Sequence, residues 1–196
     1  MNYKPVIIVS GEPHSIFLEI FFKAKKNNKF KKPHILIVSQ KLLIEQMKKL
    51  NFNYEINLIN KKNLNFNKID NKKINIINVD FKIKKVFDKI TNKSNDYINE
   101  CFKIALTLLK KDRCAGLING PISKRTFLQQ RFLGITEYLA DKENKKDNVA
   151  MLIYNKKLAV SPLTTHLPLK QVHKAISKKK IITHVKLINK FYRKKF

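Results

Sequence analysis

Short apolar runs, each closed by a turn-forming residue and followed by a stretch of helical periodicity, recur along this chain. Pro5–Ser10 (PVIIVS) is the first, too short for a helix and bounded by Gly11, as a buried strand would be. From about Ser15 to Asn27, Ile16, Ile20 and Ala24 recur at helical spacing with Phe17 and Phe21 alongside, which predicts a helix with that stripe inward. Ile35–Val38 repeats the strand, and Lys41–Leu50 is a second helix with Leu43, Met47 and Leu50 on one face. Strand, glycine turn, helix, strand is the opening of an α/β unit.

The pattern is less regular from Asn51 to Lys93, where strand-like pieces stand at Tyr54–Leu58 and Ile74–Val79 and Asn60–Lys72 reads as an exposed connection. Ser94–Lys111 is the clearest helix: Ser94 is the expected N-cap, Ile98, Cys101, Phe102, Ala105 and Leu109 form one stripe, and Lys110 and Lys111 sit at the negative end of the dipole. Ala115–Ile118 is then a strand, Lys124–Gln130 a helix, and Leu133–Ala140 another with Thr136 as its cap and Glu137 in its first turn. Val149–Ile153 and Leu158–Leu163 read as strands joined by the turn Tyr154–Lys157, before a short helix near Leu169–Ile176. Lys178–Phe196 closes the chain as a basic helix with Ile182, Val185, Ile188 and Asn189 or Phe191 inward. This succession predicts a three-layer α/β/α architecture on a mixed or mainly parallel sheet, in two lobes, 1–113 and 114–196.

Composition narrows the class. With 196 residues and 43% apolar content the chain can bury a real core. No apolar run approaches the length of a membrane span and MNYKPVIIVSG has no small-residue cleavage site, so the chain reads as cytosolic. Cys101 and Cys114 lack CxxC or zinc spacing, which argues against a disulfide framework or structural metal. The net charge of +28 is the size a nucleic-acid binder carries. Yet nearly all of it is lysine, spread evenly and accompanied by Asn and Ile, as A+T-rich codons would produce. Arginine, the residue suited to bidentate phosphate and base contacts, stands only at 113, 125, 131 and 193. No zinc spacing, aromatic RNA-binding signature or basic region with heptads accompanies the charge, so nucleic acid is not an expected partner.

Two stretches carry candidate chemistry. Ser161–Lys170 (SPLTTHLPLK) follows the apolar Leu158–Val160 and ends it in hydroxyls, one imidazole and a proline, as a strand delivering side chains to a ligand would. His166 is its candidate ligand; equally, the threonines satisfy a strand exit and His166 is one more surface residue. Gly120–Lys124 (GPISK) offers a glycine that permits close approach, with Ser123 and Lys124 near a helix start to meet an anion, or else a turn with a capping serine.

AGLINGPISK at 115–124, GITEYLA at 134–140 and LTTHLPLKQV at 163–172 stand in the order and approximate spacing of the GPI-x-K, GHTE-x-LA and TTH-x-PL-x-x-V segments of 4-hydroxythreonine-4-phosphate dehydrogenases, and SGEPHSIFLEI at 10–20 resembles their GDPAGIGPEI. The resemblance is close over Cys114–Ile176 and looser elsewhere. It implies an NAD- or NADP-dependent enzyme of vitamin B6 biosynthesis with a divalent cation (zinc, magnesium or cobalt). Such an enzyme oxidises the hydroxyl of a small phosphorylated hydroxy amino acid to an oxo acid that then loses carbon dioxide. It also implies an isocitrate/isopropylmalate dehydrogenase-like fold in a homodimer.

By that resemblance His166 falls on a metal ligand, Thr136 on a substrate-contacting threonine and Lys124 on the lysine of the GPI-x-K turn. Three departures stand out. Ile135 replaces the family's substrate-contacting histidine and can neither donate nor accept a hydrogen bond. The N-terminal turn has His14, Ser15, Phe17 and Leu18 in place of the family's motif residues, including its glycines. The chain stops at Phe196, before the family's remaining metal histidines, other substrate ligands and much of its nucleotide site. The expectation is a truncated member with an incomplete second lobe, exposed apolar surface there, impaired turnover, and completion by a second polypeptide. The alternative is a non-catalytic basic α/β protein that binds anions, nucleic acid or a partner chain.

Overall fold

The computed structural model describes residues 4–27, 30–61, 69–146 and 148–195. Its contacts divide the chain into two compact units, Met1–Phe127 and Leu128–Phe196. The boundary therefore falls after the expected 113/114, because the strand expected to open the second lobe pairs within the first.

The first unit is built on five parallel strands: β1 Val6–Val9, β2 His34–Val38, β3 Ile56–Leu58, β4 Ile74–Asn78 and β5 Gly116–Asn119, in the order β3-β4-β2-β1-β5. Parallel pairing requires a long crossover after each strand, and helices α1 (Phe17–Lys26), α2 (Gln40–Lys49) and α3 (Asn95–Lys110) supply three of them. Strands buried on both faces need no polar alternation, which is why VIIV and HILIV are nearly all apolar and INIIN mostly so. One face presents Ile8, Leu36, Val38, Ile74 and Ile76 to α1 and α2. The alternate residues of β1 and β2 point the other way, the side on which α3 contacts those strands. This is the expected three-layer arrangement, with the sheet wholly parallel. The expected exposed connection at 60–72 lies largely outside the described residues.

Several faces differ from the periodicity reading. In α1 the inward stripe is Leu18, Phe21, Phe22 and Lys25, while Ile16 and Ile20 are 65% and 52% exposed. The aromatic side decides it: Phe21 and Phe22 pack against Phe30, Phe52 and Tyr54, a larger apolar area than two isoleucines offer. Lys25 survives on that face because its Nζ donates to the carbonyls of Asn71 and Lys73 at 2.8 and 3.1 Å. In α3 the stripe includes Leu108 in place of Leu109.

Ser94 does precede α3, but its backbone is already helical and its hydroxyl is used elsewhere. The cap belongs to Thr91, whose Oγ1 accepts from Lys93 N at the start of a short 3-10 turn, Asn92–Ser94.

The second unit is sparser. The helix expected at 124–130 makes a single turn across the unit boundary and stops where Gln129 and Gln130 adopt φ of 48° and 59°. Helix α4 spans Ile135–Lys142 with Gly134 as its N-cap, so Thr136 lies inside the first turn instead of capping it. The two expected strands reduce to β6 Ile153–Tyr154 and β7 Ala159–Val160, antiparallel and exposed. Next come α5, Leu169–Val172, and α6, Lys178–Lys195. The residues expected to face inward from α6 do not all do so: Ile182, Val185, Asn189 and Phe191 are exposed and Ile188 is half-buried. No described helix is long and apolar enough to cross a membrane.

Candidate functional site

In the first unit the chain leaves β1 toward β2 on one side and returns from β4 through α3 to β5 on the other. The carboxyl ends of β1 and β5 are therefore its topological switch point, where open α/β sheets bind ligands. Here the turns Ser10-Gly11-Glu12 and Gly120-Pro121 meet backbone to backbone. Gly120 N donates to Val9 O at 2.7 Å, and Glu12 N donates to Pro121 O at 2.8 Å. A Cβ on Gly11, whose φ is +73°, would lie 2.3 Å from Pro121 O, and one on Gly120 would lie 2.2 Å from Ser10 O. The close approach that Gly120 permits is thus to the neighbouring turn. Ser123 caps the next turn, its Oγ accepting from Thr126 N at 3.1 Å, and Lys124 is exposed there.

Beneath these turns lies a buried polar cluster that periodicity did not reveal. The single proton of the Ser94 hydroxyl is shared between the Glu12 carboxylate, 3.0 and 3.1 Å from its two oxygens, and Thr91 O at 2.9 Å, and burial raises the Glu12 pKa against the lowering effect of the Ser94 contact. Tyr97 OH accepts from Ser39 N at 3.0 Å and lies 3.2 Å from Ser10 Oγ; burial holds its pKa well above the usual phenol value. The only sequence signal was an acid placed directly after Gly11.

In the second unit, Ile135 and Thr136 open α4 and His166 lies beside them. A Cβ on Gly134 would stand 3.9 Å from His166 Nε2 and 3.0 Å from Glu137 Oε2, so imidazole and carboxylate flank the residue that begins the helix. His166 is exposed and adopts φ of 58°, a left-handed conformation that a β-substituted residue holds only when its surroundings impose it. Glu137 Oε2 is buried without a hydrogen-bond partner.

Thr136 and Glu137 also line a hollow of about 910 Å³ with Arg131, Lys179, Lys180 and His184. Among the residues lining it Glu137 is the one carboxylate, so the hollow favours an anion. His184 is held in place: Ser161 Oγ donates to Met151 O at 2.5 Å, which leaves the 2.7 Å contact to His184 Nε2 as a donation from the ring to Ser161. A serine that accepts from the imidazole and gives its proton to a carbonyl is a latch between α6 and the strand pair, not a nucleophile. Sequence reading missed Arg131, Glu137, Lys179, Lys180 and His184 as site residues, because four of the five look like ordinary surface charge.

The donor chemistry does not complete a metal centre. Catalytic cation sites draw on about three protein ligands, and no group of three or more His, Cys, Asp or Glu able to hold an ion occurs among the described residues. His166 with Glu137 falls short of that set. Nor can the chain form a Gly-x-Gly-x-x-Gly dinucleotide turn, since its four glycines stand at 11, 116, 120 and 134.

A wholly parallel sheet with helices on both faces, followed by a unit with an anion-favouring hollow at a helix start, places the chain in the α/β class. Residues 30–196 match the family "Pyridoxal phosphate biosynthetic protein PdxA", and the chain belongs to that family. Among curated relatives, 4-hydroxythreonine-4-phosphate dehydrogenase of Sulfurihydrogenibium sp. (strain YO3AOP1) is 34% identical over 193 residues, covering 96% of this chain and 58% of the relative. The Aquifex aeolicus (strain VF5) enzyme of the same name is 31% identical over 206 residues, covering 98% and 59%. The crystal structure of the Klebsiella pneumoniae 4-hydroxythreonine-4-phosphate dehydrogenase superposes with a TM-score of 0.80 at 21% identity, over 97% of this chain and 59% of that one. That from Burkholderia phymatum gives 0.79 at 20% identity, over 94% and 57%. The chain thus spans somewhat under three-fifths of the length of these relatives.

Proposed function

We propose that this chain contributes the phosphate-binding side of a 4-hydroxythreonine-4-phosphate dehydrogenase in pyridoxal phosphate biosynthesis. The whole enzyme would oxidise the substrate's secondary hydroxyl, a nicotinamide cofactor supplying the hydride acceptor when bound, to an oxo acid that would then release carbon dioxide. The observation that carries this reading is the position of Thr136: it lies in the first turn of α4 on the wall of a hollow lined by Arg131, Lys179 and Lys180 and by a single carboxylate, Glu137.

The first backbone N–H groups of a helix have no partner within it and carry the positive end of its dipole. At α4 they come with a threonine hydroxyl and nearby cations, a combination suited to a phosphate monoester. His184, donating to Ser161 through Nε2, keeps α6 and its lysines against this hollow. Ile135 adds an apolar contact where a hydrogen-bonding side chain would orient the ligand, and so weakens orientation more than charge attraction. The His166 ring lies near Gly134, the N-cap of the same helix, which supports a role for it toward the part of the substrate beyond the phosphate.

Calorimetric titration with 4-phosphooxy-L-threonine tests the proposal. Thr136→Val, which removes one hydrogen bond to a charged group, is expected to weaken binding by roughly tenfold, the equivalent of about 1.5 kcal/mol. Replacing Lys103, an exposed lysine of α3, by Gln is expected to leave it unchanged. Equal affinity in wild type and T136V would refute the assignment.

A further inference from the structure

Of the four glycines in the chain, only Gly120 follows an asparagine. An asparagine followed by glycine is chemically labile, because a main-chain nitrogen with no Cβ beside it can approach the preceding side chain closely. That nitrogen attacks the side-chain carbonyl carbon and closes a five-membered imide. The N–Cγ bond forms as the Cγ–Nδ2 bond breaks, and the side-chain nitrogen leaves as ammonia with the proton that the main-chain nitrogen gave up. Water then opens the imide at one of its two carbonyls. The product is an aspartate, or an isoaspartate whose main chain runs through the side-chain carboxyl carbon. One ammonia is lost and one water gained, and no oxidant, metal or enzyme enters.

The fold half prepares this reaction at the junction of the two turns. Asn119 ends β5 in register with Val9. Its Nδ2 donates to Gly120 O at 3.1 Å, so the side-chain amide already lies against Gly120, and its exposure gives water access. The nucleophile is what the fold withholds. Gly120 N donates to Val9 O at 2.7 Å, and the bond from Glu12 N to Pro121 O at 2.8 Å keeps the turns together. Ser10 O and the Phe17 ring crowd Gly120 so closely that no Cβ would fit, which leaves its peptide no room to swing toward the side chain.

We propose that Asn119 is a site of spontaneous deamidation gated by this junction, closed while Val9 O holds Gly120 N and open when the two turns part. An isoaspartate adds one main-chain carbon between β5 and Gly120, which shifts Gly120 N away from Val9 O and Pro121 O away from Glu12 N. A junction that has opened and reacted therefore cannot close again as before, and the first unit keeps an irreversible record of its local openings. The inference rests on main-chain geometry within the first unit and not on the reaction proposed above.

The full chain is incubated in mildly alkaline buffer, folded and in urea that unfolds it. Deamidation at Asn119 is followed by peptide mass spectrometry, and amide hydrogen exchange at Gly120 by nuclear magnetic resonance. The folded chain is expected to react more slowly by roughly tenfold or more, and by the same factor that slows Gly120 exchange. Gly11→Ala sets a methyl 2.3 Å from Pro121 O and leaves Asn119 and Gly120 in place. It is expected to raise the rate several-fold with an unchanged circular dichroism spectrum; if that variant does not fold, the two wild-type rates still decide. Asn119→Gln, which would have to close a six-membered ring, is expected to stay unmodified. Equal rates in the folded and unfolded chain would overturn the gate, and no reaction in the unfolded chain would overturn the site. A folded rate that does not follow Gly120 exchange would overturn the role given to the Val9 bond.

Discussion

Replacing Gly120 by Ala tests the junction of the two turns at the switch point most directly. The added methyl would stand 2.2 Å from Ser10 O and 2.9 Å from Phe17 Cδ2. The first obstacle is main chain and cannot rotate away, so the two turns must separate. Separation weakens the Gly120 N to Val9 O and Glu12 N to Pro121 O hydrogen bonds, of 2.7 and 2.8 Å. Each such bond is worth about 1 kcal/mol net, and forcing a methylene into a packed site costs about 1–3 kcal/mol. The sum is about 3–5 kcal/mol, a large part of the roughly 5–15 kcal/mol that holds a domain folded.

Gly116→Ala is the internal control. It adds the same methyl to the same edge strand, with nothing within 4 Å of it. Alanine there removes the entropy cost of glycine in a strand, a gain of about 0.5 kcal/mol. Urea unfolding followed by far-ultraviolet circular dichroism separates the two. With a slope of about 2 kcal/mol per molar, G120A lowers the midpoint by about 1.5–2.5 M and G116A raises it slightly. A G120A midpoint equal to wild type, or an equal loss in G116A, would refute the account of the junction.

Two further outcomes follow from buried titratable groups. His34 stacks on Phe30 at 4.4 Å with Nε2 unpartnered, and burial pushes its pKa below the usual imidazole value. A depressed folded pKa makes its contribution complete above about pH 6.5 and lost progressively as pH falls below that. His34→Gln should therefore flatten the acid side of a plot of urea midpoint against pH, and an unchanged slope would contradict this. Cys101 and Cys114 are both free and buried, with pKa values pushed up to about 12 and about 11 by burial. In the native protein neither thiol should react with a disulfide reagent at neutral pH, while both should react in urea; rapid native labelling of either would show that it is exposed.

Much of the architecture was legible from local pattern. The apolar runs of β1, β2 and β4 are buried on both sides of the sheet, so they stand out against any turn. In α3, Ile98, Cys101, Phe102 and Ala105 are buried as expected, while Tyr97, Ile104 and Leu108 join them and Leu109 does not. The site was legible only in part. The GITEYLA and TTHLPL stretches flagged Thr136 and His166, and the fold brings Gly134 within reach of the His166 ring. The cations of the hollow, Arg131, Lys179 and Lys180, were hidden by the lysine excess, because a surface rich in one charge gives no local sign of which copies converge. Ser94 carried a valid cap signal that a competing demand overrode: a buried carboxylate at Glu12 gains more from a hydroxyl than an already helical backbone does.

By itself the sequence determined most of the succession of strands and helices and the resemblance that led to the family. These depend on spacing over a few residues, which the chain carries with it in any environment. Only the tertiary structure decided that β5 joins β1 in the first unit's sheet, that α1 turns its phenylalanines inward, and that Gly11 and Gly120 serve each other. Each of those outcomes depends on groups a hundred or so residues apart, or on rival faces of one helix, and burial is settled by which contacts win when the whole unit packs.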